Sequence, residues 1–307
     1  MNASIKPHCR NRILPYNSVD LLKAAITSSR TYLYKDSVLI FVCGAEEKPN
    51  LPTARERFMQ YAEKHLRSYH FFMAEKFFTD FHNQSEMDLL SIEDKLTGYS
   101  DCVLIILESV GSFTELGAFA NSKSISKIIL TVNKEEYKDE NSFVTMGPIA
   151  KLDKVSKFKP CVYANFDRIL TAVNDISKRL KKIERTYRKQ IKFDSYEAFQ
   201  KVSPKLRMLL LMDLITLFNP LTHIELMYLL KEFYSEQKFD VHVEIGMLLA
   251  LGMITKKEKY YLPAISRTNM FYSFYGANVT NIRSNVINHY HKYSKERIQA
   301  LNSKVSL

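Results

Sequence analysis

The chain has 307 residues, a formal net charge of +11 and 46% hydrophobic residues. That is enough for two ordinary domains with their own cores, and it excludes a disordered or fibrous chain. No apolar run approaches the roughly 18–20 residues that cross a bilayer, and the start, Met1 to Arg12, has no hydrophobic leader core, so the expected location is the cytoplasm with no membrane contact.

The positive excess favours contact with a polyanion, because neutralising phosphates releases counterions. Cys9, Cys43, Cys102 and Cys161 are far apart, with no paired spacing, and read as buried thiols. His289 and His291 have no carboxylate or thiol near them, so no metal site is expected.

After a helix expected around Val19 to Thr31, Ser37 to Cys43 is β-branched and apolar, then breaks at Gly44; it predicts a buried first strand. Thr53-Ala-Arg-Glu56 matches a capping box opening a helix to about Leu66, and Tyr69 to Met73 predicts a second strand. Ser85-Glu-Met-Asp88 starts a helix with Leu89, Ile92 and Leu96 on one face, and Cys102 to Leu107 is the most strand-like segment of the chain. A helix from Ser112 to about Lys123, a strand over Lys127 to Val132 and an edge strand over Pro160 to Tyr163 follow. Strands alternating with helices at this spacing predict an α/β fold with a parallel sheet, whose chemistry belongs in the loops at the carboxyl ends of the strands.

Phe166 to Lys192 predicts a long basic connector helix. Beyond it, helices are expected over Pro204 to Phe218, from a Thr222-His-Ile-Glu225 cap, and over Val241 to Leu251, followed by a hairpin over Met253 to Pro263. Three helices and a charged hairpin predict a mostly α, winged-helix-like domain. The expected division is 1–165, 166–195 and 196–307.

The segment that concentrates chemistry is Glu108-Ser-Val-Gly111-Ser112-Phe-Thr-Glu115-Leu-Gly117, a turn and helix start directly after a strand. Gly111 allows a tight turn and close ligand approach, and Ser112 can cap the helix. Ser112-x-x-Glu115 also fits a capping box in which Glu115 only bonds back to helix amides, so a structural role stays open beside a catalytic one. Cys43, Gly44 and Ala45 on the neighbouring strand's loop, with Glu75 after the second strand, complete an expected pocket. Asp101 reads as a structural cap, and Phe71, Phe72, Phe77, Phe78 and Phe81 as packing.

Gly-Ser-x-x-Glu-Leu-Gly-Ala after a strand resembles the signature of the nucleoside 2-deoxyribosyltransferases, and the whole segment is similar to bacterial retron effectors, in which a domain of that class precedes a winged-helix-like one. Phe41-Val-Cys-Gly44, Phe72-Met-Ala-Glu75 and Phe143-Val-Thr-Met-Gly-Pro148 extend the likeness over most of 37–165. The resemblance implies a Rossmann-like, deoxyribosyltransferase-like sheet, Glu115 as the nucleophile at C1′ of a sugar, and Glu108 as a carboxylate that orients the base, activates water or binds sugar. It also implies NAD as substrate, cleaved to nicotinamide and ADP-ribose without a resident cofactor. The transferases carry an aspartate two residues before the motif glycine, where this chain has Ser109, which points away from base exchange. A cationic nicotinamide leaves as a neutral molecule, so one carboxylate and a water suffice.

The same resemblance implies a retron reverse transcriptase and multicopy single-stranded DNA joined to RNA as restraining partners, and a homo-oligomer or larger assembly. Arg179, Lys182, Arg185, Arg188, Lys256, Lys257 and Lys259 are the residues expected to meet nucleic acid or a partner. The expected reading helix, Val241 to Leu251, holds His242 and Glu244 but no arginine or lysine, so shape or protein recognition is expected rather than base readout. Two other readings stay open: a nucleotide-sensing DNA-binding module without catalysis, and a nucleoside 2-deoxyribosyltransferase, against which the appended basic half argues.

Overall fold

The structure is a computed structural model that describes residues 14–46, 51–75, 77, 89–235, 239–264 and 270–302. The expected start of a helix at Ser85, the thiol of Cys9, and Phe78 and Phe81 lie outside them. In chain order, α1 (Tyr16–Thr27) and β1 (Thr31–Leu33) precede β2 (Val38–Cys43), α2 (Ala54–His65), β3 (Tyr69–Phe72), α3 (Leu89–Tyr99) and β4 (Cys102–Ile106). Then come α4 (Val110–Asn121), β5 (Ile129–Lys134), α5 (Ala150–Val155), β6 (Val162–Ala164) and α6 (Val173–Leu180).

The chain divides into two compact units, Ser37–Arg185 and a second made of Met1–Asp36 with Thr186–Leu307. The first is a five-stranded parallel sheet of order β3-β2-β4-β5-β6. Every residue of β2 and β4 is buried, because helices cover both faces and leave no polar side to alternate with. On one face Val38, Ile40, Val42, Leu104, Ile106 and Val132 pack with Phe58 of α2 and Ile176 of α6. On β2 the alternate residues Leu39 and Phe41 are also buried, and Phe41 stacks on Phe72 with ring centroids 5.4 Å apart. Asp101 accepts from the Leu39 amide at 2.8 Å, the structural role expected of it.

The basic connector is not one helix. Phe166–Ala172 is a 3-10 turn with a break at Arg168, α6 ends at Leu180, and the chain reaches a short strand, β7 (Lys189–Gln190), in the other unit. The reason lies in its apolar residues: Ile169, Ala172, Val173, Ile176, Leu180 and Ile183 all join the core of the parallel-sheet unit, so the segment folds back onto the sheet instead of extending from it.

The second unit holds α7 (Tyr196–Lys201), α8 (Pro204–Phe218), α9 (His223–Tyr234), α10 (His242–Ala250), β8 (Ile254–Lys257), β9 (Tyr260–Pro263), β10 (Tyr272–Phe274), α11 (Val279–Tyr293) and α12 (Lys295–Asn302). Its β8–β9 hairpin and the reciprocal capping box of Thr222 and Glu225 on α9 match the reading of the sequence. β1 pairs antiparallel with both β10 and β7, so this early strand belongs with elements far along the chain. No helix among the described residues is long and apolar enough to cross a membrane.

Candidate active site

A cleft of about 680 Å³ opens at the carboxyl ends of β2 and β4 and is lined by Cys43, Gly44, Ala45, Glu46, Arg55, Glu75, Glu93, Glu108, Ser109, Gly111 and Glu115, among others. All the expected pocket residues except Ser112 are therefore brought together. Ser112 is fully buried beneath the cleft, where its hydroxyl donates to the Ser109 carbonyl at 2.7 Å.

The cap of α4 sits one turn earlier than the sequence pattern implies. Ser109 is the N-cap, accepting from the Ser112 amide, and Ser112 reciprocates, so the capping box is closed by two serines. Glu115 is thereby relieved of any capping duty. It falls on the stripe of α4 that carries buried Ser112, Leu116 and Phe119, and this spacing turns its carboxyl towards the sheet rather than to solvent. Gly111 is an ordinary first-turn helical residue, without the tight turn expected of it; a Cβ there would meet only the Ser109 hydroxyl, at 3.7 Å.

Oε2 of Glu115 is buried and has no hydrogen-bond partner among the described residues. Burial pushes this carboxyl up to about 8; the charge of Glu93 and its hydrogen bond push the same way, and the Cys43 thiol and Arg55 oppose. Glu93 itself is raised, first by burial. Two half-buried carboxyl groups side by side cannot both ionise easily, so in the free protein Glu115 keeps its proton at neutral pH. Burial also raises the Cys43 thiol, with Glu115 adding to the effect, which keeps that thiol a neutral donor.

Glu108 has another fate. Its Oε1 accepts from the amides of Ala45 (3.2 Å) and Arg55 (2.9 Å), and its Oε2 from the amide of Ala54 (2.7 Å). A carboxylate placed on the first amides of α2 meets the positive end of the helix dipole and satisfies donors that no helical carbonyl can reach. Glu108 thus joins the β2 loop, the entry of α2 and the end of β4, an anchoring role that the sequence does not announce, while it still lines the cleft. Gly44 is required at this junction, because a Cβ would lie 2.9 Å from the Arg55 side chain and 3.2 Å from Glu108.

The sequence reading missed Arg55 and Glu93. Arg55 is buried, ion-paired to Glu75 at 2.6 Å, with its Nε left without a hydrogen-bond partner among the described residues. It shares the apolar stripe of α2 with Ala54, Phe58 and Ala62, and Glu93 shares that of α3 with Ile92 and Leu96. A charged residue on an otherwise apolar helical stripe was the available signal in both cases.

The expected nucleic-acid residues are scattered. Arg179 donates to the Pro160 and Asp175 carbonyls, Lys182 to the Lys159 carbonyl, and Arg185 to the Ser68 carbonyl while lying over the Tyr69 ring. Arg188 lies over Tyr34 and Tyr187 in the other unit. On the hairpin, Lys259 pairs with Glu296 at 2.8 Å and Lys257 reaches the Ala300 carbonyl, whereas Lys256 is exposed.

Residues 52–256 match the family described as STM3845 retron effector protein. The chain is 30% identical over 267 residues to the Escherichia coli protein named "Retron Ec73 putative ribosyltransferase/DNA-binding protein", covering 80% of this chain and 82% of the relative. It is 32% identical over 118 residues, 38% of each chain, to the Escherichia coli protein named "Retron Ec86 putative ribosyltransferase/DNA-binding protein". With an α/β fold, a carboxylate cleft at the strand ends and this extent of match, the chain belongs to the retron effector protein family.

Proposed function

We propose that the chain is the toxic effector of a retron anti-phage system, an N-glycosidase that hydrolyses NAD to nicotinamide and ADP-ribose with Glu115 as its nucleophile. The observation that carries this reading is the Glu115 carboxyl: buried at the carboxyl end of the sheet, free of capping, and beside a second carboxyl. A group held in that state costs stability and is found where it serves chemistry. The word ribosyltransferase in the names of both relatives fits a reaction at C1′ of a ribose.

The described residues lining the cleft include five glutamates, Glu46, Glu75, Glu93, Glu108 and Glu115, and one cation, Arg55. Such a lining favours a cationic pyridinium over a neutral purine or pyrimidine, and the leaving nicotinamide needs no general acid. As the cation enters, Glu115 yields its proton to solvent and attacks C1′; the C1′–N bond breaks with its electron pair going to nicotinamide. Water then attacks C1′, its proton passing to Glu93, and the Glu115 carboxylate is released with ADP-ribose. The sum is NAD and water giving nicotinamide, ADP-ribose and one proton. Glu108 and Gly44 hold the loops, Cys43 donates to Glu115, and Arg55 fixes Glu75.

The purified full chain should release nicotinamide from NAD, and with methanol present should yield methyl ADP-ribose of retained configuration, as two displacements at C1′ require. Glu115→Gln should lower release by about a thousandfold or more. Equal release by wild type and Glu115→Gln would refute the assignment.

For the other unit we propose a winged-helix-like partner domain, in which the α8–α10 helices and the β8–β9 hairpin meet the retron reverse transcriptase and its multicopy single-stranded DNA, holding the effector inactive in a larger assembly in the cytoplasm. The names of the relatives include DNA-binding, and Lys256 and Arg188 are the basic residues best placed for phosphate contact.

A further inference from the structure

We propose that the outward face of the sheet formed by β10, β1 and β7 is a stacking platform for single-stranded nucleic acid. The inference rests on the reading of this unit as the one that meets nucleic acid, and it adds a surface apart from α8–α10 and the β8–β9 hairpin. Along β1 and β10 burial alternates: Thr31, Leu33, Tyr272 and Phe274 are buried, Tyr32 is half-buried, and Tyr34, Ser273 and Tyr275 are exposed. Successive residues of a strand point to opposite faces, so Tyr32, Tyr34 and Tyr275 share the face turned away from the core. The register agrees, since Tyr32 stands opposite Ser273 and the Tyr275 amide donates to the Arg30 carbonyl at 2.8 Å.

The face is basic as well as aromatic. Arg188 lies over Tyr34, 5.9 Å from the ring centroid, and over Tyr187 at 5.1 Å; these two exposed rings are 5.6 Å apart. The φ of Arg188 is +51°, a left-handed backbone that residues with a side chain rarely adopt and that persists where the surroundings hold it, as at binding sites. At the other end exposed Arg30 lies beside Gly276, where a Cβ would be 3.8 Å from its Nη1. The acids nearby are engaged. Asp36, its side chain almost wholly buried, meets Lys205 at 2.8 Å and accepts from the Thr186 amide at 3.2 Å, and exposed Asp194, past the end of β7, accepts from the Ser29 hydroxyl at 2.5 Å.

Tyrosine rings on an open sheet offer π faces to unpaired bases of any sequence, and arginines beside them meet the phosphates and stack on bases in turn. A duplex keeps its bases stacked on one another and leaves the rings nothing to receive. From Arg30 to Tyr34 β1 rises about 13 Å, room for about two or three bases laid across the strands. The platform is set before a ligand arrives, because the amides of Tyr34 and Lys35 both donate to the Phe271 carbonyl, at 2.7 and 3.1 Å, and so fix the end of β1.

The test is fluorescence anisotropy of labelled oligothymidylate, oligouridylate and a DNA duplex, each of about twenty nucleotides or base pairs, titrated with the full chain and its variants. Tyr34→Ala/Tyr275→Ala should weaken binding of the single strands by about tenfold or more, whereas Tyr34→Phe/Tyr275→Phe should keep wild-type affinity, since the ring and not the hydroxyl stacks. Arg30→Ala/Arg188→Ala should make the slope of log K against log salt shallower by about 1.4, two phosphate contacts on a single strand. Whichever of the two single strands binds more tightly while showing these losses identifies the ligand as DNA or RNA. Equal single-strand affinity of wild type and Tyr34→Ala/Tyr275→Ala, or a loss just as large for the duplex, would overturn the platform. Affinity lost only in Lys256→Ala would overturn it and leave the hairpin as the nucleic-acid surface, and no binding by wild type would refute both.

Discussion

The interior of the helical unit and the cleft of the parallel-sheet unit treat buried charge in opposite ways. In the helical unit Asp213 accepts from the amides of Phe271 (3.0 Å) and Tyr272 (2.7 Å), Lys205 meets Asp36 at 2.8 Å, and Glu225 both caps α9 and pairs with Arg297. Arg283 donates to the Leu217 and Asn219 carbonyls at the end of α8. Asp213, Glu225, Arg283 and Arg297 thereby complete backbone groups that would otherwise be buried unsatisfied. In the cleft, Glu115 faces another carboxyl, and one of its oxygens has no partner among the described residues. Glu108, a few residues away, is fully engaged by amides, so the contrast follows partnering and not residue type. One region spends its buried charge on fold; the other holds a buried carboxyl that serves no such purpose.

That contrast can be broken from either side. Arg297→Ala leaves Glu225 buried without its guanidinium, and the helical unit should lose about 3 kcal/mol, with its melting temperature falling on the order of 10 °C. Thermal denaturation followed by circular dichroism reads this, and a shift within error would show that the pair is not structural.

In the cleft the effects should appear in pH dependence. With Glu115 protonated up to about 8, kcat/KM for NAD should rise with pH and level off near that value. Glu93→Gln removes the neighbouring charge that raises it, so the inflection should move to lower pH. An inflection that stays in place would remove Glu93 from the pair.

A smaller effect concerns stability. The Glu115 carboxyl titrates near 4.5 when unfolded and at about 8 when folded, so between those values the folded state holds a proton that the unfolded state has lost. Stability contributed by this group is complete below 4.5 and is lost as pH rises towards 8. Glu115→Gln should therefore match wild type at acid pH and exceed it at pH 8 by on the order of a few degrees. The smallest effect is expected at Lys259→Ala, whose exposed pairing with Glu296 should leave the melting temperature essentially unchanged.

Much of the parallel-sheet unit was legible in the sequence. Continuous apolar runs such as Val38 to Cys43 and Cys102 to Ile106 admit little but buried strands, and Glu115 was marked by its place after one of them. What escaped depended on tertiary partners. The sequence pattern put the cap of α4 at Ser112; the closed serine box and the Ser109 hydroxyl's bond to the Gly44 carbonyl place it at Ser109 instead. Glu108 and Glu115 look alike as residues; the amides that consume Glu108 belong to a loop and helix more than fifty positions earlier. The connector read as a helix because its lysines and arginines have high helix propensity, yet Ile169 and Ile176 draw it onto the sheet. The pairing of β1 with β10 joins segments far apart in the chain, a contact that local pattern cannot carry.

The most direct test of the central claim is intracellular NAD after expression of the chain without other retron components, beside Glu115→Gln at equal abundance. The account predicts that NAD collapses with the intact glutamate and holds with the glutamine. NAD levels that are the same in both would contradict it.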